Sequence, residues 1–116
     1  MASTDEQRQQ PPGVDLAALT TYLQTNLPEL AAGDLTAEII AGGRSNLTYF
    51  ISNDNTTFVL RRPPLGHVLD TAHDMSREYR VISALHGTSV PVAAPLLFCD
   101  DTDVIGSPFY LMEKVE

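Results

Sequence analysis

The chain has 116 residues, of which 43% are hydrophobic and 19% are charged, a composition typical of one folded domain with a modest core. Its formal net charge of −8 argues against a surface for nucleic acid or for an anionic membrane, because both require a positive field. The single cysteine, Cys99, excludes an internal disulfide and fits a reducing compartment, so we expect a cytoplasmic protein. No apolar run approaches membrane-spanning length, so no membrane segment is predicted.

The N-terminal part of the chain changes character after its paired prolines. Residues 1–13 are polar and are predicted to form a disordered tail, whereas residues 14–116 carry the apolar pattern of one domain. Leucines then recur at helical spacing between Asp15, which can cap a helix, and Pro28, which ends it. This pattern predicts an amphipathic helix from Asp15 to Leu27 that serves in packing.

The stretch that follows predicts three strands, over Leu35–Ala41, Leu47–Ser52 and Thr56–Arg62. The turn between the first two, residues 42–46, contains two glycines, a serine and an asparagine. Such a turn lets the backbone approach a ligand closely and offers free N–H groups to an anion. It is equally typical of an ordinary hairpin connection, so it does not by itself indicate a binding site.

Two arginines end the third strand. Because side chains alternate between the faces of a strand, Val59 and Arg61 should share one face, and Phe58, Leu60 and Arg62 the other. Only one arginine can therefore serve a given site. The alternative for both is a solvated strand end.

A second helix is predicted from Thr71 to about Leu85, and Glu78 falls within its apolar stripe. A carboxylate on a buried helix face is costly unless a cation meets it. Arg61 is the best placed cation, since the helix could cover its strand. Alternatively, Glu78 lies at the edge of the stripe and reaches water.

Two further strands are predicted, over Pro95–Asp100 and Phe109–Val115. The order of elements is helix, three strands, helix and two strands, which is typical of an α+β domain. The histidines are not spaced with Cys99 as metal ligands would be, so no metal site is predicted in this chain.

In this order, the elements resemble a protein-kinase-like N-terminal lobe: a five-stranded antiparallel sheet with one packed helix, plus an N-terminal helix. The segments GGRSNLTYFI, FVLRRPP, SREYRVISALHG and GSPFYLMEKVE resemble the aminoglycoside phosphotransferase family. The resemblance is strongest to the branch related to the phosphotransferase part of acyl-CoA dehydrogenase fusion proteins. It covers the chain from about Leu35 to Glu116.

This resemblance implies a site for ATP and Mg²⁺. Arg61 stands where the family usually has a lysine, and it would hold the α- and β-phosphates and pair with Glu78. Met112 would flank the adenine pocket, and the backbone of Glu113 and Val115 would bind the adenine edge. The loop over the phosphates would be formed by Gly42, Gly43, Arg44, Ser45 and Asn46.

The chain departs from the family pattern in two respects. Arginine replaces lysine, and its planar, always charged guanidinium can bridge a carboxylate and a phosphate. The sequence also contains neither a His-Gly-Asp nor an Asp-Phe-Gly triplet, so no catalytic residue and no metal ligand is assigned in this chain. The resemblance implies that a second, C-terminal lobe carries these motifs, and the 116 residues contain no match to it. We expect this missing lobe to supply the metal ligands and the small-molecule acceptor site, and the chain alone to be inactive.

Two functions therefore remain open from the sequence. The first is the ATP-binding lobe of a phosphotransferase that acts on a substrate hydroxyl. The second is a non-catalytic interaction module, or a gene fragment, that self-associates through the surface meant for the missing lobe.

Overall fold

The computed structural model describes residues 12–31, 33–41, 46–64, 71–90 and 92–114, with the side chains of residues 71–74 outside this description. Its elements confirm the predicted α+β order, to which a short 3₁₀ helix is added after the first helix. They are α1 (Leu16–Asn26), the 3₁₀ helix (Pro28–Ala31), β1 (Thr36–Ala41), β2 (Leu47–Ser52), β3 (Thr57–Arg62), α2 (Thr71–His86), β4 (Pro95–Cys99) and β5 (Phe109–Glu113).

The five strands form one sheet in the order β1-β2-β3-β5-β4, and every neighbouring pair is antiparallel. This arrangement confirms the predicted five-stranded antiparallel sheet. After β3, the chain passes through α2 to the edge strand β4. It then returns as the last strand, β5, which lies between β3 and β4. The start of β5 is thus brought beside the end of β3, with Tyr110 opposite Arg61.

One face of the sheet carries the main hydrophobic core and is covered by α1. Leu19 and Leu23 of α1 are fully buried in the same cluster as Tyr49, Leu60 and Leu111 of the sheet. The helix begins where predicted, because the side chain of its capping aspartate accepts a hydrogen bond from the backbone of the first turn. This face supplies most of the burial that stabilises the domain.

The second helix, α2, packs on β4 and β5. Its residue Met75 is fully buried. The ring of Tyr79 lies 5.8 Å from that of Phe98 and 5.6 Å from that of Tyr110, measured between centroids. The helix therefore lies mainly over β5, the neighbour of the Arg61 strand, and over the edge strand β4.

The hairpin turn between β2 and β3 is held together by the side chain of Asn53. The Asn53 side chain accepts hydrogen bonds from the backbone N–H groups of Asn55 and Thr56, each at 2.7 Å. The same side chain donates to the carbonyl of Leu30 at 2.9 Å. The turn thus connects the sheet to the short 3₁₀ helix.

The described part of the chain starts at the end of the segment predicted as a tail. The carbonyl of Pro12 accepts a hydrogen bond from the Tyr49 hydroxyl at 2.7 Å, and that of Gly13 accepts one from Arg62 at 2.9 Å. The remainder of the predicted tail, residues 1–11, lies outside the described residues. No helix in the described ranges has the length and apolar character needed to cross a membrane.

Candidate functional site

The sheet register brings four side chains into one row on the face that α2 partly covers. Thr48 pairs with Arg61, Arg61 with Tyr110, and Tyr110 with Phe98. Residues opposite one another on antiparallel strands project to the same face, so this row crosses four of the five strands. The arginine and the tyrosine are therefore neighbours, although they lie far apart in the sequence.

Arg61 and Glu78 form the ion pair that the sequence predicts. The distance from Arg61 Nη1 to Glu78 Oε1 is 3.1 Å, and the two side chains are 29% and 28% exposed. The pair is thus half-buried: Glu78 lies toward the edge of its helix stripe but still meets the cation. Arg77 and Arg80 on the same helix are exposed.

Two further side chains bind the same carboxylate, and sequence reasoning missed both interactions. The Tyr110 hydroxyl donates to Glu78 Oε1, and the Asn46 side-chain amide donates to Glu78 Oε2 at 3.2 Å. Glu78 therefore receives donors from β3, from β5 and from the residue that precedes β2. The alternation of β5 could have indicated Tyr110, since it must face away from its core neighbours Phe109 and Leu111.

Tyr110 is fully buried, and its environment keeps the phenol protonated. Burial raises the pKa of the Tyr110 hydroxyl above its usual range, and the hydrogen bond to Glu78 raises it further, while the charge of Arg61 opposes both effects. A neutral phenol is a donor, which is the role that the Glu78 carboxylate requires.

The guanidinium of Arg61 has a buried donor, Nε, that no described residue uses. Its Nε atom is buried and has no hydrogen-bond partner within the described residues, whereas Nη1 is occupied by Glu78. A buried N–H without a partner is costly and is rare in folded proteins. The side chain as a whole is 29% exposed, so its accessible part is suited to an anionic ligand, because a guanidinium can bind a carboxylate and a phosphate at the same time.

Arg62 lies on the opposite face, and the structure excludes it as an alternative partner of Glu78. It is 4% exposed, and its guanidinium donates to the carbonyls of Pro63, Gly13 and Ile105 at 2.9, 2.9 and 3.5 Å. Burial lowers the pKa of Arg62, and the nearby Tyr49 opposes this shift. Its role is to hold Gly13 and the segment before β5 against the sheet.

The predicted adenine-flanking residue lies one row further along the same face as Arg61. Met112 pairs with Val59, and Val59 pairs with Phe50. The Lys114 ammonium lies 4.8 Å from the centroid of the Phe50 ring. Phe50, Val59 and Met112 thus form an apolar surface in the row next to that of Arg61.

The other predicted nucleotide residues are only partly covered by the structure. The backbone N–H of Glu113 donates to the carbonyl of Ala94 at 2.8 Å. Four residues of the predicted phosphate loop, 42–45, and Val115 lie outside the described residues. No group of three or more histidine, cysteine, aspartate or glutamate side chains that could hold a metal ion occurs in the ranges described.

An open depression of about 660 Å³ lies at the other end of the sheet and is separate from the ion pair. Of the predicted nucleotide residues, Glu113 is the one that lines it. Its lining residues are Glu29, Leu30, Asn55, Thr56, Thr57, Phe58, Leu96, Glu113 and Lys114.

Comparison with known proteins identifies relatives of the whole domain. A profile described as the phosphotransferase enzyme family matches residues 36–116. The mouse protein named acyl-CoA dehydrogenase family member 11 is 40% identical over 105 residues, and the human one is 39% identical over the same length. Each alignment covers 88% of this chain and 14% of the relative.

A solved structure has the same fold. A crystal structure of a candidate aminoglycoside phosphotransferase from Ralstonia eutropha JMP134 superposes with a TM-score of 0.71 and is 37% identical. The match covers 88% of this chain and 28% of that protein. The chain thus spans a small fraction of the length of the relatives that it matches.

Proposed function

Since the chain belongs to the phosphotransferase enzyme family, we propose that it forms the ATP-binding lobe of a small-molecule phosphotransferase. The complete enzyme would transfer a phosphoryl group from ATP to a hydroxyl of its substrate. Neither catalytic triplet of the family occurs in the 116 residues, so we expect this chain to bind nucleotide without turning it over. Such catalysis depends mainly on positioning and charge neutralisation, to which a lobe of this kind contributes the nucleotide contacts.

The Arg61–Glu78 pair is the observation that carries this proposal. The carboxylate holds one end of the guanidinium at 3.1 Å, and the buried Nε atom of Arg61 has no partner within the described residues. A phosphate oxygen would bind the guanidinium from its accessible side, since 29% of the Arg61 side chain is exposed. Arg61 would thereby hold the α- and β-phosphates while Glu78 keeps the guanidinium oriented.

The apolar surface beside the pair supports a place for the base. Val59 and Met112 project from adjacent strands on the same face as Arg61, one row nearer the end of β5. An adenine ring that packed there would extend its phosphates toward Arg61 and toward Asn46, which also contacts Glu78. The backbone of Glu113, the last residue of β5, would then meet the edge of the base.

Mg²⁺ would arrive with ATP, and the described residues contain no cluster of three side chains that could ligate it. When bound, the ion would neutralise charge on the phosphates. We therefore assign no step of the reaction to a metal held by this chain. A reducing compartment such as the cytoplasm fits the free, buried thiol of Cys99.

Nucleotide titration of the purified chain tests the proposal. We expect a fluorescent ATP analogue with Mg²⁺ to bind, and Arg61→Ala to weaken binding by about tenfold to a hundredfold, the value of a charge-assisted hydrogen bond. Arg77→Ala is the matched control, since it removes an exposed arginine from α2 and should leave affinity unchanged. Absence of binding by the wild-type chain, or equal binding by Arg61→Ala, would refute the proposal.

A further inference from the structure

We infer that Tyr110 is a positioning residue of this nucleotide site, which acts by holding Glu78 and, through it, Arg61. This inference rests on the proposed function and goes beyond the Arg61–Glu78 pair. Tyr110 is fully buried, and its hydroxyl donates a hydrogen bond to the Glu78 carboxylate of that pair.

The carboxylate of Glu78 is held by three donors at once. Oε1 accepts both from the Tyr110 hydroxyl and from Arg61 Nη1, while Oε2 accepts from the Asn46 amide. Each carboxylate oxygen has two lone pairs, so the two donors at Oε1 do not compete. Contacts at both oxygens fix the plane of the carboxylate as well as its position.

Tyr110 is itself rigidly placed, which is what a positioning residue requires. It lies in β5 with Arg61 opposite on β3 and Phe98 opposite on β4, and it is fully buried. Its ring also packs against that of Tyr79 on α2. The hydroxyl therefore has a fixed location relative to the sheet, whereas the Glu78 side chain has several rotatable bonds.

The position of Glu78 determines where Arg61 can offer its remaining donors. The guanidinium is planar, so a fixed Nη1 also sets the direction of Nε, the buried atom without a partner among the described residues. Loss of the Tyr110 hydroxyl removes the contact that comes from a fully buried side chain and leaves Glu78 held by Arg61 and Asn46, which are both partly exposed. Arg61 would then need to be ordered when a phosphate binds, and affinity would fall.

Tyr110→Phe tests the role, because it removes the hydroxyl and keeps the ring. We expect the 116-residue chain to remain folded and to bind the fluorescent ATP analogue roughly threefold to tenfold more weakly. Tyr79→Phe is the control and should leave the affinity unchanged. The ring of Tyr79 packs against that of Tyr110, but the Tyr79 hydroxyl has no partner among the described residues. Affinity in Tyr110→Phe equal to that of the wild type would overturn the inference.

The effect of Tyr110→Phe on nucleotide affinity, measured in the wild type and in Arg61→Ala, distinguishes a positioning role from a general structural one. If Tyr110 acts through Arg61, the Tyr110→Phe change should have no further effect on the residual affinity of Arg61→Ala. If the hydroxyl merely stabilises the fold, affinity should fall by the same factor in both backgrounds. That second result would refute the role proposed here.

A nucleotide-independent measurement separates this inference from the proposed function. The Arg61 Nε–Hε resonance in a ¹⁵N-correlated NMR spectrum, assigned by its loss in Arg61→Lys, should shift or broaden in Tyr110→Phe and stay unchanged in Tyr79→Phe. An unchanged resonance in Tyr110→Phe would overturn the positioning role. If the wild type fails to bind nucleotide while this resonance responds, the proposed function fails and the coupling of Tyr110 to Arg61 stands.

Discussion

Arg61 and Arg62 are consecutive in β3, yet their guanidinium groups lie on opposite faces of the sheet. Arg61 contacts Glu78 at 3.1 Å and is 29% exposed, whereas Arg62 is 4% exposed and donates to main-chain carbonyls. Strand alternation separates the two, so one arginine is available to a ligand while the other stabilises the fold.

Replacing Arg62 should therefore harm stability more than replacing Arg61. Arg62→Ala leaves the carbonyls of Gly13 and Pro63 without their donor and opens a cavity, and we expect it to lower the free energy of unfolding by about 2–4 kcal/mol. Arg61→Ala removes a half-exposed pair, and the expected loss is about 1 kcal/mol or less. Urea denaturation measures both, and equal losses would contradict this division of roles.

The coupling between Arg61 and Glu78 can be measured with a double-mutant cycle. The half-exposed pair should give a coupling energy of about 0.5–1 kcal/mol. Glu78→Ala should be more destabilising than Arg61→Ala, because it also deprives the buried Tyr110 hydroxyl of its acceptor. Additive single-mutant effects would mean that the ion pair contributes nothing to the fold.

Stability should decline at alkaline pH, and Tyr110 should account for part of the decline. The pKa of Tyr110 is raised in the folded chain, mainly by burial and also by the hydrogen bond to Glu78. As the pH rises, the hydroxyl is therefore deprotonated at a lower pH in the unfolded chain than in the folded chain. The contribution of Tyr110 is thus complete below about pH 10, the usual value for tyrosine, and is lost as the pH rises from there through the folded pKa.

Comparison of the wild type with Tyr110→Phe isolates this contribution. Between about pH 10 and pH 11.5, the wild type should lose up to about 1.4 kcal/mol more per pH unit than the variant, measured by urea denaturation at each pH. Tyr22 and Tyr49, whose pKa values burial also raises, remain in both proteins and cancel in the difference. Parallel pH profiles would show that Tyr110 is not held protonated by the fold.

Gly33 should be the glycine most sensitive to substitution among those described. It has a φ of +73°, and an added Cβ would overlap the Asp54 carboxylate. We expect Gly33→Ala to cost about 1–2 kcal/mol from the backbone strain alone. Gly87→Ala is the control, since nothing lies near its Cβ position, and it should stay within about 0.5 kcal/mol of the wild type in thermal unfolding.

Much of the site could be predicted because its parts obey local rules. Strand alternation separated Arg61 from Arg62, and helical periodicity placed Glu78 on the side of α2 that meets the sheet. The hydrogen bonds that Tyr110 and Asn46 make with Glu78 could not be predicted in the same way. They depend on which strands are neighbours and on the exact register between them, and neither is encoded within a single segment.

The sequence alone determined the class of the domain, the order of its elements and the two charges that meet, because periodicity and turn chemistry act over a few residues. Only the tertiary structure decided that β5 lies between β3 and β4, and so that a buried phenol stands beside Arg61. The physical reason is that strand order and register are selected by burial of the whole sheet, in which each strand gains its stability from neighbours that are distant along the chain.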